Sequence, residues 1–126
     1  MKKIIQSNDA PEPIGPYSQA VLINDMLFTS GQIALDPRSG KLILDSIVEE
    51  TKQVMENLKA VLKNADMTFD NVVKSTIYII DMDDFGAINK VYGAYFKDSI
   101  APARETVQVA KLPKNVHIEI SVIASR

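Results

Sequence analysis

Between Val48 and Ala65 the apolar residues Val48, Met55, Leu58, Val61, Leu62 and Ala65, with Ile47, Thr51 and Val54 alongside, recur at spacings of three and four. That spacing predicts a helix with one stripe turned to a core. Ser46-Ile47-Val48-Glu49 opens it as a capping box. A second helix is predicted from a cap at Asp83 or Asp84 through Phe96, its stripe formed by Phe85, Ile88, Val91, Tyr92, Tyr95 and Phe96. Between the helices, Val72 to Ile80 is rich in β-branched residues and reads as a strand. Lys2 to Gln6, Gln19 to Ile23 and Met26 to Ser30 are further strand-like runs, the last two joined by the tight turn Asn24-Asp25. Three prolines between Asn8 and Pro16 argue against helix there, and Asp36-Pro37-Arg38-Ser39-Gly40 is another turn.

Two strand patterns close the chain, Pro102 to Ala110 and Val116 to Val122. The predicted order is β-β-β-α-β-α-β-β with no repeat or internal linker, an α+β fold in which both helices cover one face of a mixed sheet. Residues 1–126 read as one domain. Only Lys111 to Asn115 separates the last two strands, so they are expected to pair as a hairpin that brings Arg104 near Glu119. In parity, Thr106 and Gln108 accompany Arg104, while His117 and Ser121 accompany Glu119. The sheet face away from the helices is therefore expected to be polar, suited to a cleft or a subunit interface. An arginine and a glutamate on neighbouring strands usually form an ion pair. They also suit chemistry on a small molecule with its own carboxylate, which Arg104 grips by a two-pronged hydrogen bond while Glu119 handles a proton or a water.

A formal charge of −2, with both signs scattered, gives no basic face for a phosphate backbone and argues against a nucleic-acid partner. Lys111 and Lys114 beside a turn read as a solvated loop. Cysteine is absent, which removes disulfides and thiolate chemistry. With no signal peptide and no apolar run near the ~20 residues that span a bilayer, a cytoplasmic protein without membrane attachment is expected. His117 is the only histidine, so neither a two-histidine metal site nor a Ser-His-Asp triad fits within one chain. It reads as an exposed strand residue.

Ile14-Gly15-Pro16-Tyr17-Ser18-Gln19-Ala20, Thr29-Ser30-Gly31-Gln32-Ile33 and Pro102-Ala103-Arg104 stand in an order and spacing that resembles the Rid family, the reactive intermediate deaminases also called YjgF proteins. The RidA subgroup is the nearest likeness, which extends from Ile4 to Ala124. The resemblance implies the chorismate-mutase-like YjgF fold, and a homotrimer whose sheets meet in a barrel-like core with clefts between adjacent chains. It implies a cofactor-independent enamine/imine deaminase of amino-acid metabolism. Such an enzyme hydrolyses 2-aminoacrylate and 2-iminobutanoate to 2-keto acids and ammonia. It carries a carboxylate-binding role onto Arg104 and a water-handling role onto Glu119. Tyr17, Ser30, Gly31, Asn89 and Thr106 become pocket residues.

Two positions depart from the family pattern. Thr106 stands where many RidA-like proteins have cysteine, which keeps a small polar group and loses any thiol role. Glu105 stands where a small residue is usual, and its parity with Val107 and Val109 points it toward a core, a costly place for a carboxylate. Both favour an alternative in which the cleft binds keto acids for regulation without turnover. A third reading, ribonuclease action, is opposed by the absence of a basic stripe and of a histidine pair.

Overall fold

A computed structural model describes residues 1–126. The element order is β1 (Lys3–Ile5), β2 (Ala20–Ile23), β3 (Met26–Thr29), α1 (Ile47–Asn64), β4 (Val72–Ile79), α2 (Phe85–Gly93), β5 (Ala103–Gln108) and β6 (Ile118–Ser125). The six strands form one mixed sheet in the order β1-β2-β3-β6-β4-β5. Asn24 takes a left-handed φ of +53° in the β2–β3 turn, a conformation asparagine tolerates. Ser46 caps α1 by accepting the Glu49 N–H at 3.1 Å. The same helix ends where Asp66 turns left-handed and the Met67 N–H reaches back to the Leu62 carbonyl.

One core fills the space between the sheet and the helices. Leu27, Ile77, Ile79, Ile118 and Ile120 face Val54, Met55, Leu58, Val61 and Leu62 of α1 and Ile88 and Tyr92 of α2. Val48 is not in that stripe; it is exposed, and the buried polar residues Glu50 and Asn57 join Thr51 on it instead. The two longer ones have remote partners. Asn57 donates to the carbonyls of Ile33 and Leu35, both at 3.0 Å. The Glu50 carboxylate accepts the N–H of His117 at 2.7 Å and of Ile118 at 3.2 Å, and lies 2.7 Å from His117 Nδ1.

Three expectations are corrected here. The last two strands do not form a hairpin, because β4 lies between them: it pairs parallel with β5 and antiparallel with β6. His117 precedes β6 and turns its ring to Glu50, the donor set that a buried carboxylate requires. The cap of α2 is also different: Asp81 caps a short 3₁₀ turn over Met82–Asp84, Asp84 makes no side-chain cap bond, and α2 stops at Gly93, short of Phe96.

The expected face assignments change with the pairing. Arg104 neighbours Ser75, which neighbours Val122, and all three point to the helices; Glu119 neighbours Tyr78 three residues along and points the other way. Glu105 therefore lies on the open face, not in a core, and pairs with Lys74 at 3.3 Å. Nor is that face simply polar. Phe28, Tyr78 and Val107 stand on it exposed beside Lys74, Glu105 and Glu119.

Glu50→Ala strands two backbone donors, each costing about 1–3 kcal/mol, whereas His117→Ala leaves both backbone bonds in place. Urea unfolding should show the Glu50 variant as clearly the less stable of the two.

Candidate active site

Two groups of candidate residues stand out, one on each side of the sheet. The first surrounds Arg104 at the start of the edge strand β5. Its Nη1 donates to Asn89 Oδ1 at 2.6 Å, and its guanidinium carbon lies 5.5 Å from the ring centre of Phe85 and 5.1 Å from that of Tyr92. Those three α2 residues recur at four and three, so one helix face supplies both the hydrogen bond and the aromatic wall. The Tyr92 hydroxyl is fixed in turn on buried Ser75 Oγ at 2.8 Å, and desolvation raises its pKa. No carboxylate lies within ion-pair distance of Arg104. The alternative of an ion pair with Glu119 is not realised within the chain, and the guanidinium borders an open cavity of about 380 Å³ with Asn89, Pro102 and Asp98. Two residues along on the same side, Thr106 Oγ1 is buried without a partner.

The second group surrounds Glu119 on β6. Gly31 packs against it so closely that a Cβ there would stand 2.7 Å from the Glu119 carboxyl carbon. Only glycine admits the carboxylate in this position. Backbone bonds between Gln32 and Ile120, 2.8 and 3.1 Å, hold the two segments together. One Glu119 oxygen, Oε2, is buried and receives no hydrogen bond, and desolvation pushes the carboxyl pKa above the usual carboxylate value. A carboxyl held in that way is suited to taking and returning a proton nearer neutrality.

Tyr17, Ser30, Gly31, Pro113 and Lys114 border the same 460 Å³ cavity as Glu119. Ser30 contributes wall rather than a free hydroxyl, since its Oγ donates to the Ser18 carbonyl at 2.6 Å. The irregular loop that carries Tyr17 is organised by one buried side chain. Gln19 accepts the Ser7 N–H at 2.6 Å and donates to the carbonyls of Ser7, Ala10 and Pro11.

The sequence-predicted residues thus divide. Tyr17, Ser30, Gly31 and Glu119 share one cavity, while Arg104, Asn89 and Thr106 lie on the other side of the sheet. Within one chain the two groups do not meet. Reading the sequence missed Phe85 and Tyr92 as walls around Arg104, although their spacing from Asn89 was available. It also missed Lys114, read as a solvated loop residue.

Comparisons with known proteins agree with the fold. A sequence model of the family described as Endoribonuclease L-PSP matches residues 7–126. A RutC family protein of Synechocystis is 51% identical over 123 residues, 97% of this chain and 95% of that protein. A 2-iminobutanoate/2-iminopropanoate deaminase of Mus musculus is 48% identical over 124 residues, 98% of this chain and 91% of the relative. The solved structure of YyfA from Yersinia pestis, described as of the conserved Rid protein family, superposes with a TM-score of 0.97 at 44% identity and covers 100% of both chains.

The raised Glu119 pKa has a direct consequence for stability. Folded chains hold that proton more tightly than unfolded ones, so this group's effect on stability is most favourable below the ordinary value of 4.5 and declines as pH rises toward the raised pKa. Thermal melts of Glu119→Gln should match wild type near about pH 4 and exceed it at about pH 8.

Proposed function

The chain belongs to the Endoribonuclease L-PSP family, which includes the YjgF/Rid proteins, and from that premise we propose that it hydrolyses reactive 2-imino acids to 2-keto acids and ammonia. The observation that carries this reading is a pair of unsatisfied, complementary groups on opposite sides of one sheet. Arg104 has no carboxylate and Glu119 has no donor on Oε2. A second copy of the chain, docked as in a homotrimer, supplies the missing half from its own surface. The apolar part of the open face, with Phe28 and Val107 about two-fifths exposed, favours such burial. The mammalian relative's name supplies the substrate class.

In the proposed reaction Arg104 of one copy holds the substrate carboxylate, steadied by Asn89 and the faces of Phe85 and Tyr92. Glu119 of the neighbouring copy removes a proton from water as the water oxygen bonds to C2, and the C=N electron pair moves to nitrogen. The carboxyl then returns the proton to nitrogen. Glu119 then passes the hydroxyl proton to the same nitrogen as C2–N breaks and C2=O forms, and ammonia leaves. An enamine substrate first takes a proton on C3, loses one from nitrogen, and enters as the imine. Tyr17 and Gly31 bound the space in which the water and the imine carbon meet. Glu105 does not hinder this scheme, because its carboxylate pairs with Lys74 on the face away from Arg104.

A coupled assay, with a threonine dehydratase generating 2-iminobutanoate, tests the proposal. Arg104→Ala should lower kcat/KM by about 10- to 100-fold, the worth of a charged hydrogen bond. Glu119→Gln should lower kcat by about 10²–10⁴, the range of acid–base catalysis. Refolding the two impaired variants together should raise activity above that of either alone, because some interfaces then combine an intact Arg104 with an intact Glu119. Mixed oligomers no more active than the separate variants would overturn the shared site. Gly31→Ala, which displaces the carboxylate, should reduce kcat more than it raises KM.

A further inference from the structure

A smaller cavity of about 140 Å³ lies beside the one that holds Glu119, and Ile14, Tyr17, Gly31, Ile33 and Lys114 border both. Gly31 and Tyr17 are thus walls common to an outer space, where Glu119 stands, and a more enclosed inner one. Two polar side chains on these walls lack partners, Lys114 bordering both cavities and Gln32 the smaller one. Lys114 takes part in no ion pair and no hydrogen bond from its ammonium group. Gln32 is 6% exposed, and its side-chain amide makes no hydrogen bond within the chain although its backbone is fully engaged with Ile120.

The backbone around Lys114 is specified, not loose. Lys114 and Asn115 are both left-handed, with φ of +54° and +57°, a conformation uncommon outside glycine. Buried Leu112 and Val116 anchor the segment on either side, and the N–H groups of Asn115 and Val116 close onto Leu112 and Pro113. Strained residues of this kind persist where the surroundings fix them, and they concentrate at ligand sites.

We infer that Lys114 and the Gln32 amide form a subsite for a second acidic group, so that the preferred ligands are 2-imino and 2-keto acids whose side chain ends in a carboxylate. This rests on the deaminase reading for the placement of the ligand. With the first carboxylate on the neighbour's Arg104 and C2 beside Glu119, the side chain extends over Gly31 into the inner cavity. There an ammonium and an amide donor satisfy a carboxylate better than they satisfy a methyl group. Glu12, which borders the inner cavity alone, opposes the second charge and sets how strong the preference is.

Titration calorimetry with 2-oxoglutarate and 2-oxobutanoate on the assembled protein tests the subsite without requiring turnover. Wild type should bind the dicarboxylate more tightly, by about tenfold, the size of one charged hydrogen bond. Lys114→Met should erase that ratio, losing more affinity for 2-oxoglutarate than for 2-oxobutanoate, and Glu12→Gln should increase it. A ratio unchanged in Lys114→Met, or equal losses for both ligands, overturns the subsite while leaving deamination intact. A Lys114-dependent ratio in a protein that never accelerates imine hydrolysis retains the subsite and overturns the enzyme. Failure of both keto acids to bind overturns both.

Discussion

The carboxylate of Glu50, buried beneath α1, determines where β6 begins. Three groups converge on it, the backbone N–H of His117, the backbone N–H of Ile118 and the His117 ring. A carboxylate taken out of water demands such a donor set, so the helix and the strand cannot slide independently. Because β6 lies between β3 and β4, its start sets the register on both sides. Two helical turns later Asn57 does the same for the segment at Ile33 and Leu35. One helix thus measures out both lines of backbone that flank the pocket floor: Glu119 follows Ile118, and Gly31-Gln32 precedes Ile33.

On that frame the sheet separates two charges that chemistry would bring together. The guanidinium of Arg104 lies exposed on the helix side against the rings of Phe85 and Tyr92, while the Glu119 carboxyl is partly desolvated on the other side, packed against Gly31. Neither neutralises the other, so each keeps its capacity to act on something else. A paired arginine and glutamate on adjacent strands would have been more stable and less useful. The parallel β4–β5 pairing maintains the separation, since it puts a full strand between the two residues.

Much of this was legible from residue spacing. The core face of α1, the eight elements and their order follow from apolar periodicity, and the capping serine was visible in Ser46 and Glu49. Strand adjacency was not. The short Lys111 to Asn115 loop suggests a hairpin, yet Pro102 and the polar run Arg104-Glu105 mark β5 as an edge strand, and a helix between β4 and β5 is the usual bridge of a parallel pair. Hydropathy ranks side chains by type, so apolar periodicity puts Val48 in the core and gives no sign that Glu50 belongs there. A buried glutamate is explained only by donors 67 and 68 residues away. Tyr17, Gly31 and Glu119 were identified together through resemblance, whereas the Lys114 backbone conformation has no signature in its neighbours' sequence.

The loop before β2 owes its shape to the amide of Gln19, whose bonds to Ser7, Ala10 and Pro11 take the place of regular secondary structure. Ile14 and Tyr17 are carried on that loop and belong to no ladder. The pocket is therefore built from two materials with different tolerances: a sheet wall whose every change disturbs the register, and a tethered loop whose outward residues are free to vary. Under the proposed deaminase reading, such a division lets substitutions in the loop change which ligand side chain is accepted while the carboxyl of Glu119 stays where the strands put it.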